Sequence, residues 1–244
     1  MGTDMALMLP APCKSKHYNL SNPKSRTDYD SQSGSKTYGV AKNASLIAVK
    51  VLDASGAGSN AGVLAGIQWA VNDAKSKGRI GKALANLSVG GLYSQASNDA
   101  VAAAVREGLF MGVAAGNDGF FADLFSPGSE RSACTVGATD RNDARASYSN
   151  FGSLVDIFAP GSDIISTWIQ GPTDTNTISG TSMATPHIVG LGAYLLSLEG
   201  ARQPGALCER IRALATRDVL SGVPGGILGI GATPNLLAYN GNGA

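Results

Sequence analysis

Along most of the chain, short apolar runs alternate with stretches in which apolar residues recur every three or four positions. Residues 45–52 (SLIAVKVL) read as a strand, and Val63, Leu64, Ile67, Val71 and Ala74 then fall on one face of a helix that runs through Lys75. A second unit follows, with ANLSV (85–89) as strand and 96–108 as helix, and LFMGVAAG (109–116) begins a third. Residues 133–138 and 154–159 read as buried strands, and helices at 183–198 and 204–215 close the chain. Strands that alternate with helices pack as a largely parallel sheet covered on both faces, so the pattern predicts an α/β fold. Residues 1 to about 34 break the pattern: polar, proline-interrupted text (CKSKHYNLSNPKSRTDYDSQSGS) shows neither period.

Composition narrows the function classes. With 43% apolar content over 244 residues the chain can bury a sizeable single core, and 15% charged residues at net charge +1 supply neither a basic footprint for nucleic acid nor a polybasic membrane patch. The longest apolar stretch, 188–198, is about half of what a bilayer requires and reads as a core helix. The opening MGTDMALMLPAP has no basic segment followed by a long apolar one, so nothing in it directs export. The three cysteines, Cys13, Cys134 and Cys208, make neither a paired metal motif nor a dense disulfide scaffold, and leave room for one bridge with one thiol over.

The sharpest candidate chemistry lies in Gly180-Thr181-Ser182-Met183-Ala184-Thr185-Pro186-His187. It holds a serine between small residues where a loop turns into a helix. A serine at a helix N-cap has its hydroxyl near free N–H groups and the positive end of the dipole, a setting that suits a nucleophile as well as an ordinary cap. Asn117-Asp118-Gly119 taken alone reads as an ordinary turn, with a side-chain donor at a strand's C-terminal end as the functional alternative. GAGSNAG (56–62) superficially matches a dinucleotide phosphate loop, but Ala61 stands where the third glycine belongs. His187, five residues after Ser182, is turned about 140° away on a helix and cannot serve as its base. His17 sits in no motif and reads as an exposed loop residue.

GTSMATPH resembles the nucleophile motif of subtilisin-like serine proteases, and other segments agree in order: YGVAK (38–42), KVLD (50–53), SVGG (88–91), VAAGND (113–118), SACTVGA (132–138), YSNFG (148–152), DIFAPG (156–161), STWI (166–169) and LLAYN (236–240). The resemblance covers residues 34 to 242 and is closest to fungal, proteinase K-like enzymes. It implies a three-layer, doubly wound, mostly parallel α/β sheet of the subtilisin type, truncated at its N-terminus. It implies a serine-type endopeptidase acting through an acyl-enzyme, with Ser182 as nucleophile and Asn117 donating to the oxyanion alongside the Ser182 N–H. Ser88, Val89, Gly90, Ala114, Ala115 and Gly116 would line the substrate pocket. Gly56 and Gly58 would lie along an extended peptide added as a strand, although Asn60 replaces a tyrosine common in relatives, so side-chain preference does not carry over.

The resemblance further implies a Cys134–Cys208 disulfide with Cys13 unpaired, and no cofactor for catalysis. It also implies a structural calcium ion held by the Asp156 carboxylate and the carbonyls of Arg131 and Ala133, Arg131 standing where proline is common. The expected partner is a polypeptide substrate, with no nucleic acid or membrane, for a secreted monomer.

The family's acid and base motifs precede YGVAK, where this chain has only the 1–33 leader. The absent acid motif also belongs to a central strand, so the sheet is expected to have a gap with two open edges. Codons exist for residues 1–13 whose shifted frame spells GHGTHVAST, a match to the family's histidine motif, and codons for residues 13–15 contain GTAAGT, an intron start. Residues 1–33 therefore read as an out-of-frame exon and retained intron, before the C-terminal portion of the catalytic domain at 34–244. As written the chain is expected not to hydrolyse peptides. The alternatives are a catalytically dead relative that binds peptides and, on the glycine loop alone, a nucleotide-binding protein. A cDNA sequence for residues 1–13 without the shifted-frame motif would dispose of the splicing idea.

Overall fold

A computed structural model describes residues 5–9, by backbone only, together with 37–53, 55–168, 174–226 and 231–241. Among these, an eight-stranded sheet is built from β1 (Met5–Leu9), β2 (Ser45–Val49), β3 (Leu84–Leu87), β5 (Phe110–Ala114), β7 (Cys134–Thr139), β8 (Ile157–Pro160), β11 (Thr216–Arg217) and β12 (Leu236–Leu237). Their spatial order is β11-β12-β8-β7-β5-β3-β1-β2. The run β3-β5-β7-β8-β12 is parallel throughout. Each crossover carries the chain over one face. Helices α1 (Asn60–Ser76) and α2 (Gln95–Arg106) precede β3 and β5, while α3 (Thr181–Glu199) and α4 (Pro204–Leu214) follow β8.

Side chains that alternate along the strands feed two cores. Ala85, Leu87, Met111 and Val113 pack with Ile67, Ala70 and Val71 of α1 and Val101 and Ala104 of α2. Leu84 and Phe110 point the other way, toward Ile188 and Val189 of α3 and Leu207 and Ile211 of α4. That division is the period-two geometry of a sheet buried on both faces, and it makes the three layers. The helix α3 presses close because β5 carries Gly112, where a Cβ would meet Val189 Cγ2 at 2.5 Å. The helical period read from Val63 through Lys75 is α1, and the structure adds its cap, Ser59 Oγ accepting from Gly62 N at 3.1 Å.

Two departures from the sequence reading stand out. The first concerns the expected gap: β1 lies between β2 and β3 and pairs antiparallel with both, Leu7 opposite Ile47 and Ala85. Two strand edges with unpaired N–H and C=O groups present a template for any extended segment, and MALML from the leader occupies it. The expectation of open edges is corrected accordingly. The second concerns small pairings with little apolar pattern: β4 (Gly91–Leu92) with β6 (Phe125–Ser126), and β9 (Ile164–Thr167) with β10 (Thr175–Ile178). No helix among the described residues is long and apolar enough to cross a membrane.

Candidate active site

Parallel pairing fixes where the chemistry gathers. Leu87 of β3 stands opposite Val113 of β5, so the segments that leave these strands, Ser88 onward and Ala115 onward, emerge side by side at the carboxyl edge of the sheet. There α3 begins, its first turn facing both. This is the crevice in which parallel sheets place ligands.

The helix starts at Thr181, with Gly180 as its N-cap, so Ser182 is the second helical residue rather than the cap expected from sequence. The cap hydrogen bonds come instead from outside the helix. Asn117 Oδ1 accepts from Thr181 N at 2.8 Å and from Thr181 Oγ1 at 2.9 Å. With its oxygen pinned in this way, the Asn117 amide has its Nδ2 donor pair left for a ligand. Ser182 Oγ donates to the Ser88 carbonyl at 3.3 Å, and Ser88 Oγ donates back to the Ser182 carbonyl at 3.0 Å. Pro186 explains the second bond. It has no N–H to offer the carbonyl four residues earlier, and that carbonyl belongs to Ser182. Ser88 supplies the missing donor, and its own hydroxyl is held by Asn86 Nδ2 at 3.1 Å.

The loop that carries Asn117 is shaped by one buried side chain absent from the sequence reading. Asn150 Oδ1 accepts from the backbone N–H of Asp118 and of Phe120, both at 3.0 Å, and its Nδ2 donates to Ala115 O at 2.9 Å. Gly116 makes room for it: its φ is +105°, and a Cβ there would lie 2.2 Å from Asn150 Nδ2. The position falls inside the YSNFG segment, but an asparagine beside serine and glycine looks like any turn, and nothing local marks its partners thirty residues away.

Two cavities flank the segment that runs from Ser88 to Leu92. One, about 430 Å³, is lined by Ala114, Ala115 and Gly116 together with Asn117 and Ser182. The other, about 360 Å³, lies between Ser88–Gly90 and the loop bearing Gly56 and Gly58 ahead of α1. The structure thus brings Ser182, Asn117, Ser88, Val89, Gly90 and the 114–116 segment together around one cleft, with Gly56 and Gly58 on its far side. Gly58 is a close-approach position, since a Cβ there would meet Val51 O at 2.5 Å.

The chain's two histidines are His17, outside the described residues, and His187. His187 Nδ1 lies 2.8 Å from Met183 O, one helical turn back, and burial pushes its pKa below the usual histidine value. The ring is therefore a neutral, internally bonded part of α3 and no base for Ser182.

Away from the cleft, Cys134 and Cys208 form a disulfide with Cα atoms 5.8 Å apart, tying α4 to β7. Cys13 is outside the described residues. Beside the bridge sits Asp156, whose Oδ2 accepts from Thr135 N at 2.8 Å and whose Oδ1 is 3.9 Å from Arg212. Burial pushes its pKa up to about 6. Asp156 precedes β8 and Ala133 precedes β7, which are parallel neighbours, so the carboxylate and the chain around Ala133 and Arg131 share one end of the sheet. Of the three side chains that converge here, Cys134, Asp156 and Cys208, the disulfide removes both sulfurs as ligands and leaves the carboxylate as the oxygen donor that a hard cation would take.

The Subtilase family model matches residues 23–225. The chain is 55% identical over 208 residues to the cuticle-degrading protease of Metarhizium anisopliae, covering 85% of the chain and 52% of that protein. It is 54% identical over 208 residues to alkaline protease 1 of Aspergillus clavatus, covering 85% and 50%. The chain spans about half the length of these curated relatives. Among solved structures it resembles a cold-adapted subtilisin-like serine proteinase, with a TM-score of 0.79 and 38% identity over 88% of this chain and 73% of that one.

Proposed function

Because this chain belongs to the subtilase family, we propose that it is the nucleophile-bearing portion of a serine-type endopeptidase, whose substrate is an extended polypeptide. The observation that carries the reading is the joint placement of Ser182 and Asn117 at the start of α3, above a cleft walled by small residues. Ser182 Oγ would attack a peptide carbonyl, and the negative charge that develops on the carbonyl oxygen would be met by Asn117 Nδ2 and the Ser182 N–H. The positive end of α3 adds to that field without any reorganisation during the reaction. Collapse of that intermediate would break the C–N bond and release the amine half of the substrate, protonated as it leaves, and water would then hydrolyse the acyl-enzyme to the acid and free Ser182.

The Ser182 proton needs a base, and His187 cannot take it. We therefore expect the polypeptide as written to be silent toward a fluorophosphonate probe at neutral pH, because an unassisted serine hydroxyl is a poor nucleophile. Intact mass after incubation checks this. Stoichiometric labelling at Ser182 would overturn the silent reading and show a base at work.

Asp156, with the carbonyls of Arg131 and Ala133, is proposed to hold calcium, a structural role with no part in the acyl transfer. Saturating calcium should raise the melting temperature by about 5 °C relative to chelator, given roughly 2–3 kcal/mol from binding at a hundred times the dissociation constant. Asp156→Asn should abolish the shift; an equal shift in that variant, or none in the parent, would remove the site. The disulfide supports secretion into oxidising surroundings as the setting.

A further inference from the structure

Cys134, Asp156 and Cys208 form the one group of three metal-ligating side chains among the described residues, their ligand atoms all within 4.8 Å of one another. None of the three depends on the covalent bridge for its place. Cys134 is the first residue of β7, which pairs in parallel with β5 on one side and β8 on the other. Cys208 lies on α4 with Leu207 and Ile211, both packed in the core shared with α3. Asp156 is tied to β7 twice: its N–H donates to Thr135 O at 2.9 Å, and its Oδ2 accepts from Thr135 N at 2.8 Å. That leaves Oδ1 as the free corner of the carboxylate, 3.9 Å from Arg212 Nη1 on α4. Both cysteines are buried, while the Asp156 side chain is 25% exposed and gives the cluster a path to solvent.

Opening the bridge changes the chemistry of this corner more than its shape. A dithiol supplies two electrons and two protons: the S–S bond breaks, an S–H bond forms on each cysteine, and the reductant leaves as its own cyclic disulfide. Two thiols beside a carboxylate are a soft donor set that favours zinc over calcium. We infer that the reduced chain holds a zinc-like divalent cation on Cys134 Sγ, Cys208 Sγ and Asp156 Oδ1, with water as the fourth ligand. The cation displaces both thiol protons to solvent. Cα atoms 5.8 Å apart let both sulfurs reach one ion by side-chain rotation, since Zn–S bonds of about 2.3 Å in a tetrahedron set them ~3.8 Å apart. The ion then ties α4 to β7 in place of the bridge. Arg212 opposes it, and Glu209, the ion-pair partner of Arg212 on the same helix, offsets that charge. The site shares Asp156 with the calcium proposed above but not its conditions: calcium takes oxygens and is read in the oxidised chain, whereas zinc requires the thiols.

The test uses the full chain carrying Cys13→Ser, which leaves no third thiol, reduced with dithiothreitol and freed of excess reductant under nitrogen. Near-ultraviolet circular dichroism comes first, and loss of the native signal on reduction overturns the inference, because the site needs α4 packed on β7. Cobalt(II) is the spectroscopic probe. One equivalent should give a thiolate-to-metal charge-transfer band and the intense visible bands of a four-coordinate ion, and one equivalent of zinc should bleach both. The oxidised chain should give neither. Cys208→Ser in the same background is bridge-free like the reduced parent, so the two are matched in fold; it should lose most of the charge-transfer band. Asp156→Asn should keep that band at saturation but bind about tenfold more weakly. No band in the folded reduced chain, a band of full strength in Cys208→Ser, or unchanged affinity in Asp156→Asn would each overturn the site.

Discussion

Removing the Cys134–Cys208 bridge is expected to lower stability by about 4 kcal/mol and the melting temperature by about 10 °C. The crosslink spans 74 residues of sequence, and closing a loop of that length removes a large share of the unfolded chain's freedom. What it closes is also structurally central. Cys134 opens β7 in the middle of the parallel sheet, and Cys208 lies on the buried face of α4, packed in the core shared with α3. Without the bridge, α4 keeps its contacts through Leu207 and Ile211, so the native fold should persist at reduced stability. Urea unfolding of the Cys134→Ser/Cys208→Ser variant against the oxidised parent measures the difference, and a loss below about 1 kcal/mol would contradict the expectation. A thiol titration of the unfolded, unreduced chain should find one free group, Cys13.

The second large effect is expected at Asn150, which is fully buried. Asn150→Ala strands two N–H groups and one carbonyl that the side chain now satisfies. An abandoned buried polar group costs about 1–3 kcal/mol, but Asp118 and Phe120 lie toward solvent and their N–H groups can rehydrate, so the sum should be about 3 kcal/mol rather than the full total. Asn150→Asp separates the roles: it retains an acceptor for the two N–H groups and points a second oxygen at Ala115 O. Both variants should raise amide exchange at residues 116–120 well above the rest of the molecule, because the loop loses the contact that holds it against β5. Unchanged exchange there in Asn150→Ala would show that the loop is held by something else.

Legibility in the sequence followed the range of the interactions involved. The helix α1 and strand β5 were readable because their signals are local: a helical period in the first, a run of apolar and small residues ending at Gly116 in the second. The polar strand β10, TNTI, carries no such signal and exists through its pairing with β9. The strand β1 was invisible for a related reason. Its place is set by two neighbours more than thirty residues downstream, and no period within MALML announces them. At the site, the serine motif named the nucleophile, but the residues that hold it were out of sight. Thr181 and Asn117 are 64 positions apart, and the helix begins two residues earlier than the motif suggests because their hydrogen bonds cap it from the loop that follows β5.

The bond between Ser88 and the Ser182 carbonyl gives position 88 a history tied to position 186. A proline in the helix creates the vacancy that the hydroxyl fills, so neither residue has a fitness of its own: with alanine at 186, the helix would answer its own carbonyl and the serine would be free to drift. The order of changes along a lineage is then constrained. Serine can be lost only after proline, and proline is tolerated only where a donor already waits. Transplanting the octapeptide around Ser182 into another scaffold would carry the same debt, since the recipient would inherit the proline without the donor.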